Sequence, residues 1–129
     1  MANPSKKKGT RAETAVVNFL NAKGVPARRR PLSGSEDKGD IEIEVPSGTI
    51  VVEVKAGKMT TNPNRSQLEE WMAQARTEMF NNLGDSNGAW CLIVVRYNRR
   101  IVDADVWYEC LNGDVCHMWL DEFCDKFPH

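Results

Sequence analysis

The stretch from Asp40 to Lys55 constrains the fold more than any other. Asp40-Ile41-Glu42-Ile43-Glu44-Val45 alternates polar and apolar residues, the period of a strand with one buried face. Pro46-Ser47-Gly48 is turn material, and Thr49-Ile50-Val51-Val52-Glu53-Val54-Lys55 is rich in β-branched residues. So short a turn predicts an antiparallel hairpin. Alternation sends Ile50, Val52 and Val54 into the core and puts Glu53 and Lys55 together on the other side. Counting from the turn sets Val45 near Thr49 and Asp40 near Lys55 or just before it, which brings Asp40 close to Glu53.

The flanking sequence supplies helices for this hairpin to pack on. Residues 1–9, with the run Lys6-Lys7-Lys8 and then Gly9, read as a disordered basic arm. Thr10-Arg11-Ala12-Glu13 has the form of a capping box with Thr10 as N-cap, and Ala12, Ala15, Val16, Phe19 and Leu20 recur at helical spacing. Gly24 suits a left-handed helix end, and Pro26 bars continuation. Val25 to Arg30 predicts a short extended segment, and Pro31 to Gly39 a polar loop. Ser66-Gln67-Leu68-Glu69 opens a second helix with Leu68, Trp71, Met72, Ala75 and Met79 on one stripe. Trp90 to Tyr97 predicts a strand buried on both faces. Ile101 to Cys110 predicts another strand, and Val115 to Phe127 a short helix. The expected architecture is α/β, with one domain over residues 10–129: a mixed sheet flanked by helices, core order α-β-β-β-α-β-β.

With 129 residues, 41% hydrophobic and 27% charged, the chain suits a single globular core. No apolar run reaches the ~20 residues of a membrane span, and the polar N-terminus has no signal-peptide h-region. A reducing, cytoplasmic setting is therefore expected, with the four cysteines as free thiols. A zinc site from Cys110, Cys116, His117 and Cys124 is an alternative, though the spacing fits no common ligand pattern. Charge is unevenly spread. Residues 1–40 hold nine Lys/Arg against four Asp/Glu, while residues 101–129 hold one Lys against seven Asp/Glu. The basic part suits a polyanion.

Two carboxylates beside one another, with no Cys or His near, suit a hard divalent cation bound through oxygen. Such an ion polarises a phosphate and lowers the pKa of a water, and Lys55 beside it can orient that water or stabilise charge.

In ordered series, the chain resembles the PD-(D/E)xK nuclease superfamily, and within it the archaeal-type and phage Holliday junction resolvases. Lys8-Gly9-Thr10-Arg11-Ala12-Glu13 is similar to the family's first-helix motif. Gly24-Val25 with Arg28-Arg29-Arg30 is similar to the segment after it, and Ser33-Gly34-Ser35 to the serine-bearing loop. Gly39-Asp40 and Glu53-Val54-Lys55 are similar to the metal-binding core, with Gly39 where the name implies proline.

The resemblance implies a restriction-endonuclease-like fold and a Mg²⁺-dependent endonuclease, with Mn²⁺ substituting. It implies Asp40, Glu53 and the Val54 carbonyl as metal ligands, Glu13 at or near the metal, and Lys55 as the catalytic lysine. Ser33 and Gln67 are further catalytic candidates. Lys8, Arg11, Arg28, Arg29, Arg30, Ser33, Ser35, Lys38 and Lys58 are candidates for DNA contact. The implied substrate is a four-way DNA junction, cut by a homodimer in recombination and repair, in the host cytoplasm if the protein is phage-encoded.

Structural readings stand beside these. Glu13 could cap the first helix, Glu53 and Lys55 could guard a strand end, and the arginines could be a solvated cluster. Ser33 and Ser35 could be loop formers, and Gln67 a helix-start residue. Glu42 and Glu44 are expected to face solvent or a helix edge. The tryptophans at 71, 90, 107 and 119 read as core or dimer contacts, the exposed-looking Trp107, Tyr108 and Trp119 favouring a dimer. Nicked, flap or linear DNA is an alternative substrate, and a silent DNA-binding module of the same fold is a further one.

Overall fold

The structure is a computed structural model that describes residues 4–29, 41–46, 48–83, 88–109 and 113–126. Helix α1 (Pro4–Ala22) leads into strand β1 (Ala27–Arg29), then β2 (Ile41–Val45) and β3 (Gly48–Lys55). Helix α2 (Arg65–Leu83), strands β4 (Gly88–Val94), β5 (Asp105–Glu109) and β6 (Val115–Trp119), and helix α3 (Leu120–Asp125) complete it. Strand order follows chain order, β1 to β6. Among the described residues only the β3–β4 pair is parallel, with α2 as its crossover; the other neighbours are antiparallel. The fold is α/β, a mixed sheet flanked by helices, as the pattern predicts.

The two faces of the sheet carry separate cores. Ile41, Ile43, Val52, Val54, Cys91, Ile93 and Val106 pack with Val16 and Leu20 of α1 and with Leu120 and Phe123 of α3. Val51, Trp90, Leu92, Val94 and Trp107 pack under Trp71, Ala75 and Met79 of α2. Strands β3 and β4 are thus buried on both faces, as expected between parallel neighbours.

Several boundaries differ from the sequence pattern. Helix α1 starts at Pro4, not at Thr10. Proline is favoured in a first helical turn, and the lysines after it are good helix formers. This overturns the disordered arm over residues 4–9 and removes Thr10, and with it Glu13, from a capping role. The other end of α1 matches: Gly24 has φ 85°, Val25 N–H donates to Leu20 O at 2.9 Å, and Gly24 N–H donates to Asn21 O at 3.1 Å. These are the two bonds of a Schellman ending.

Helix α2 is capped two residues earlier than its pattern suggests. Asn64 Oδ1, not Ser66, accepts from the Gln67 N–H at 2.8 Å. Replacing Asn64 by alanine is expected to cost about 1 kcal/mol, read as a lowered urea midpoint with unchanged slope.

The hairpin register is one residue tighter than counted, with Val45 opposite Gly48 and Ile41 opposite Val52. Residues 101–103 form a short 3-10 turn, so β5 starts only at Asp105. The expected helix from Val115 is strand β6 followed by α3. Val115, His117 and Trp119 are exposed while Cys116 and Met118 are half-buried, a period of two rather than 3.6.

Cys116 takes part in a disulfide, which overturns the free-thiol reading for it and removes it from the zinc alternative. Among the described residues no three His, Cys, Asp or Glu side chains gather to hold a metal. Cys91 and Cys124 are free and buried. Burial, with Asp121 adding to it, pushes the Cys124 thiol up from 9.0 to about 11. The unfolded thiol therefore ionises first, so stability holds below pH 9 and declines as pH rises toward 11. The urea midpoint is expected to fall more steeply from pH 9 to 10 in the parent protein than in Cys124→Ala. Equal slopes would contradict this.

Candidate functional site

Strand β3 turns charged where it leaves the core. Its residues alternate, so Val51, Glu53 and Lys55 share the face covered by α2. Glu53 is 5% exposed, and Lys55 Nζ lies 3.7 Å from Glu53 Oε1, with the lysine side chain 16% exposed. A buried carboxylate beside a nearly buried ammonium is costly unless each has further partners or a ligand. This pair closes the strand at the end where the crossover to α2 begins. The helix returns antiparallel across the same face, so its first turn, with half-buried Gln67, lies at that end of the sheet.

Thr60, which the pattern did not single out, holds the turn after Lys55 in place. It is fully buried, and its Oγ lies 2.7 Å from Gly57 O and 3.0 Å from Val95 O. Val95 N–H donates to Lys55 O at 2.8 Å. The segment leaving the site is thus tied to β4. A lone threonine in a polar turn carries no signal that its hydroxyl will be buried against a distant strand.

The other candidates distribute as follows. Glu13 on α1 pairs with Arg29 of β1 at 2.9 Å. Its helix packs on the face opposite to α2, so among the described residues the structure joins Glu13 to Arg29 rather than to the Glu53–Lys55 pair. Glu42 is buried, so of its two expected environments, solvent or a helix edge, it does not take the first. Arg28 donates to its Oε2 from Nε at 3.1 Å and Nη2 at 2.8 Å. That carboxylate raises the Arg28 pKa above its ordinary value. Glu42 sits opposite Val51 in the sheet, so alternation turns it under the same face, where a charge needs a partner. Glu44 is exposed, as expected, and lies within hydrogen-bond distance of the Thr49 hydroxyl.

Arg11 and Lys58 are exposed, and Lys8 lies within α1. Val54 is buried in the ladder beside Ile93. Asp40, Arg30, Ser33, Ser35 and Lys38 lie outside the described residues. Asp40 directly precedes Ile41, whose partner is Val52, the residue before Glu53. Trp71, Trp90 and Trp107 are core residues and Tyr108 is half-buried, so of the expected dimer contacts only Trp119 is exposed.

Glu53 is the one carboxylate of β3, and that strand carries no cysteine or imidazole, a donor chemistry that suits a hard divalent cation rather than a soft one. No helix among the described residues is long and apolar enough to cross a membrane. No family model matches the chain. No curated protein matches it significantly in sequence. Among solved structures it is similar to Hjc of Archaeoglobus fulgidus, a Holliday junction resolvase from an archaeal hyperthermophile. That likeness has 18% identity over 86% of this chain and 88% of that chain, with a TM-score of 0.49.

Proposed function

We propose that the chain is a Mg²⁺-dependent DNA endonuclease of the PD-(D/E)xK type, acting on four-way junctions as a homodimer with one cut per subunit. The observation that carries this reading is the Glu53–Lys55 pair: buried, 3.7 Å apart, and at the end of a central strand. The ordered series from Lys8 to Lys55 supports it, and so does Asp40, which precedes the residue paired with Val52. Asp40, Glu53 and the Val54 carbonyl would hold the cation, while Glu13, joined to Arg29 on the other face of the sheet, would stand outside it. A bound divalent cation supplies Lewis-acid stabilisation of the scissile phosphate and a more acidic water. Lys55 orients that water or neutralises charge building on the phosphate, from a position fixed by its own strand and by Thr60 behind it. Gln67 and Ser33 contribute polar contacts, and the exposed basic residues grip backbone phosphates.

The test is a cleavage assay with Mg²⁺ on a synthetic four-way junction, a nicked duplex, a flap and a linear duplex. Faster cutting of the junction, lost with EDTA, is expected. Equal rates on junction and linear duplex would move the substrate to general duplex DNA while keeping the chemistry. No cutting of any substrate with Mg²⁺ or Mn²⁺ would overturn the reading in favour of a silent binding module.

A further inference from the structure

A second cluster of charged side chains occupies the same face as Glu53 and Lys55, beyond the cover of α2. Asp105 opens β5 and is 5% exposed. Arg96 Nε donates to its Oδ2 at 2.6 Å, and His117 Nε2 lies 3.0 Å from its Oδ1. His117 also stacks flat on Trp107, with ring centroids 4.3 Å apart and planes within 2°. One buried carboxylate thus pins a guanidinium and an imidazole side by side. It does so through a single nitrogen of each. The two terminal nitrogens of Arg96 and Nδ1 of His117 make no hydrogen bond to any described residue. The His117 side chain is 52% exposed and that of Arg96 28%, so these outer nitrogens are within reach of solvent.

The strand register relates this cluster to the first one. Lys55 lies opposite Val94, and Val94 lies opposite Asp105. Two strand spacings separate them, about 10 Å. A nucleic-acid strand rises ~3.4 Å per nucleotide, so that gap spans a few phosphates of one backbone. A carboxylate that fixes a guanidinium beside an imidazole, and leaves the two outer guanidinium nitrogens unused, offers an anion site, and a planar guanidinium suits phosphate oxygens.

We propose that Arg96 and His117, held by Asp105 and Trp107, form a second phosphate-contact station that grips the DNA backbone a few nucleotides from the cleaved bond. This rests on the nuclease reading above. Its role is in binding rather than in bond cleavage.

The test is fluorescence anisotropy with a labelled four-way junction, in EDTA so that nothing is cut, across a salt series. The parent protein is compared with Arg96→Gln and His117→Ala, the latter a half-exposed edge-strand position, with melting curves to confirm folding. Each folded variant is expected to bind several-fold more weakly, and Arg96→Gln is expected to reduce the slope of log affinity against log salt by about one. If the parent binds and both folded variants match it in affinity and slope, the second station is wrong and the nuclease reading stands. If the parent itself does not bind DNA, both fail together.

Discussion

Glu53→Gln is expected to abolish junction cleavage while leaving the fold intact. Glutamine keeps the size and polarity of the side chain, so the strand still packs, but it removes the charge that a hard cation requires. The expected loss is a thousandfold or more, roughly the scale on which removing one electrostatic partner of a transition state acts. Melting temperature is expected to fall, because the substitution leaves the nearly buried Lys55 ammonium without its 3.7 Å partner, so cleavage is compared at a temperature where both proteins are folded. Lys55→Gln is expected to lose activity on a similar scale without losing DNA affinity by more than a few fold. A Glu53→Gln protein that cuts as fast as the parent would remove the site from β3 altogether.

Ile93→Ala is expected to have the largest effect on stability. Ile93 is fully buried in β4, between Val54 of β3 and Val106 of β5, in the core shared with α1 and α3. Truncation removes its transfer energy and leaves a cavity that a close-packed sheet cannot collapse around, about 3–4 kcal/mol. That is a large part of the roughly 5–15 kcal/mol holding a domain of this size. Denaturant unfolding reads the loss directly. A cost below about 1 kcal/mol would mean that β4 is not the central buried strand.

That Glu53 and Lys55 stand together on one face of β3 was legible because its signal is local. A strand's alternation alone fixes which side chains share a face, and Glu53 and Lys55 needed nothing else. The stripe of α2, the ending of α1 and the doubly buried β4 were legible for the same reason. Features decided by partners far along the chain were not. Glu42 alternates like a solvent-facing residue, yet the neighbouring strand brings Arg28 to it, and pairing permits burial. Thr10 carries a capping pattern, but Pro4 starts the helix earlier and a helix has only one beginning. The one-residue shift in the hairpin arises in the turn, where spacing alone does not fix the pairing. His117 has no neighbour in sequence to suggest a role, since Asp105, Trp107 and Arg96 reach it only through the antiparallel pairing of β5 with β6 and the end of β4. That segment was expected to be a helix.

On the reading proposed above, Asp40 and Glu53 would hold one cation on the face that carries Lys55. Crystals grown with Mn²⁺ and measured at its absorption edge test this most directly. The account predicts an anomalous peak within about 2–2.5 Å of a carboxylate oxygen of both Asp40 and Glu53, the range of oxygen-bound divalent cations. An Asp40 side chain on the opposite face of the sheet from Glu53, with no peak beside Glu53, would contradict it.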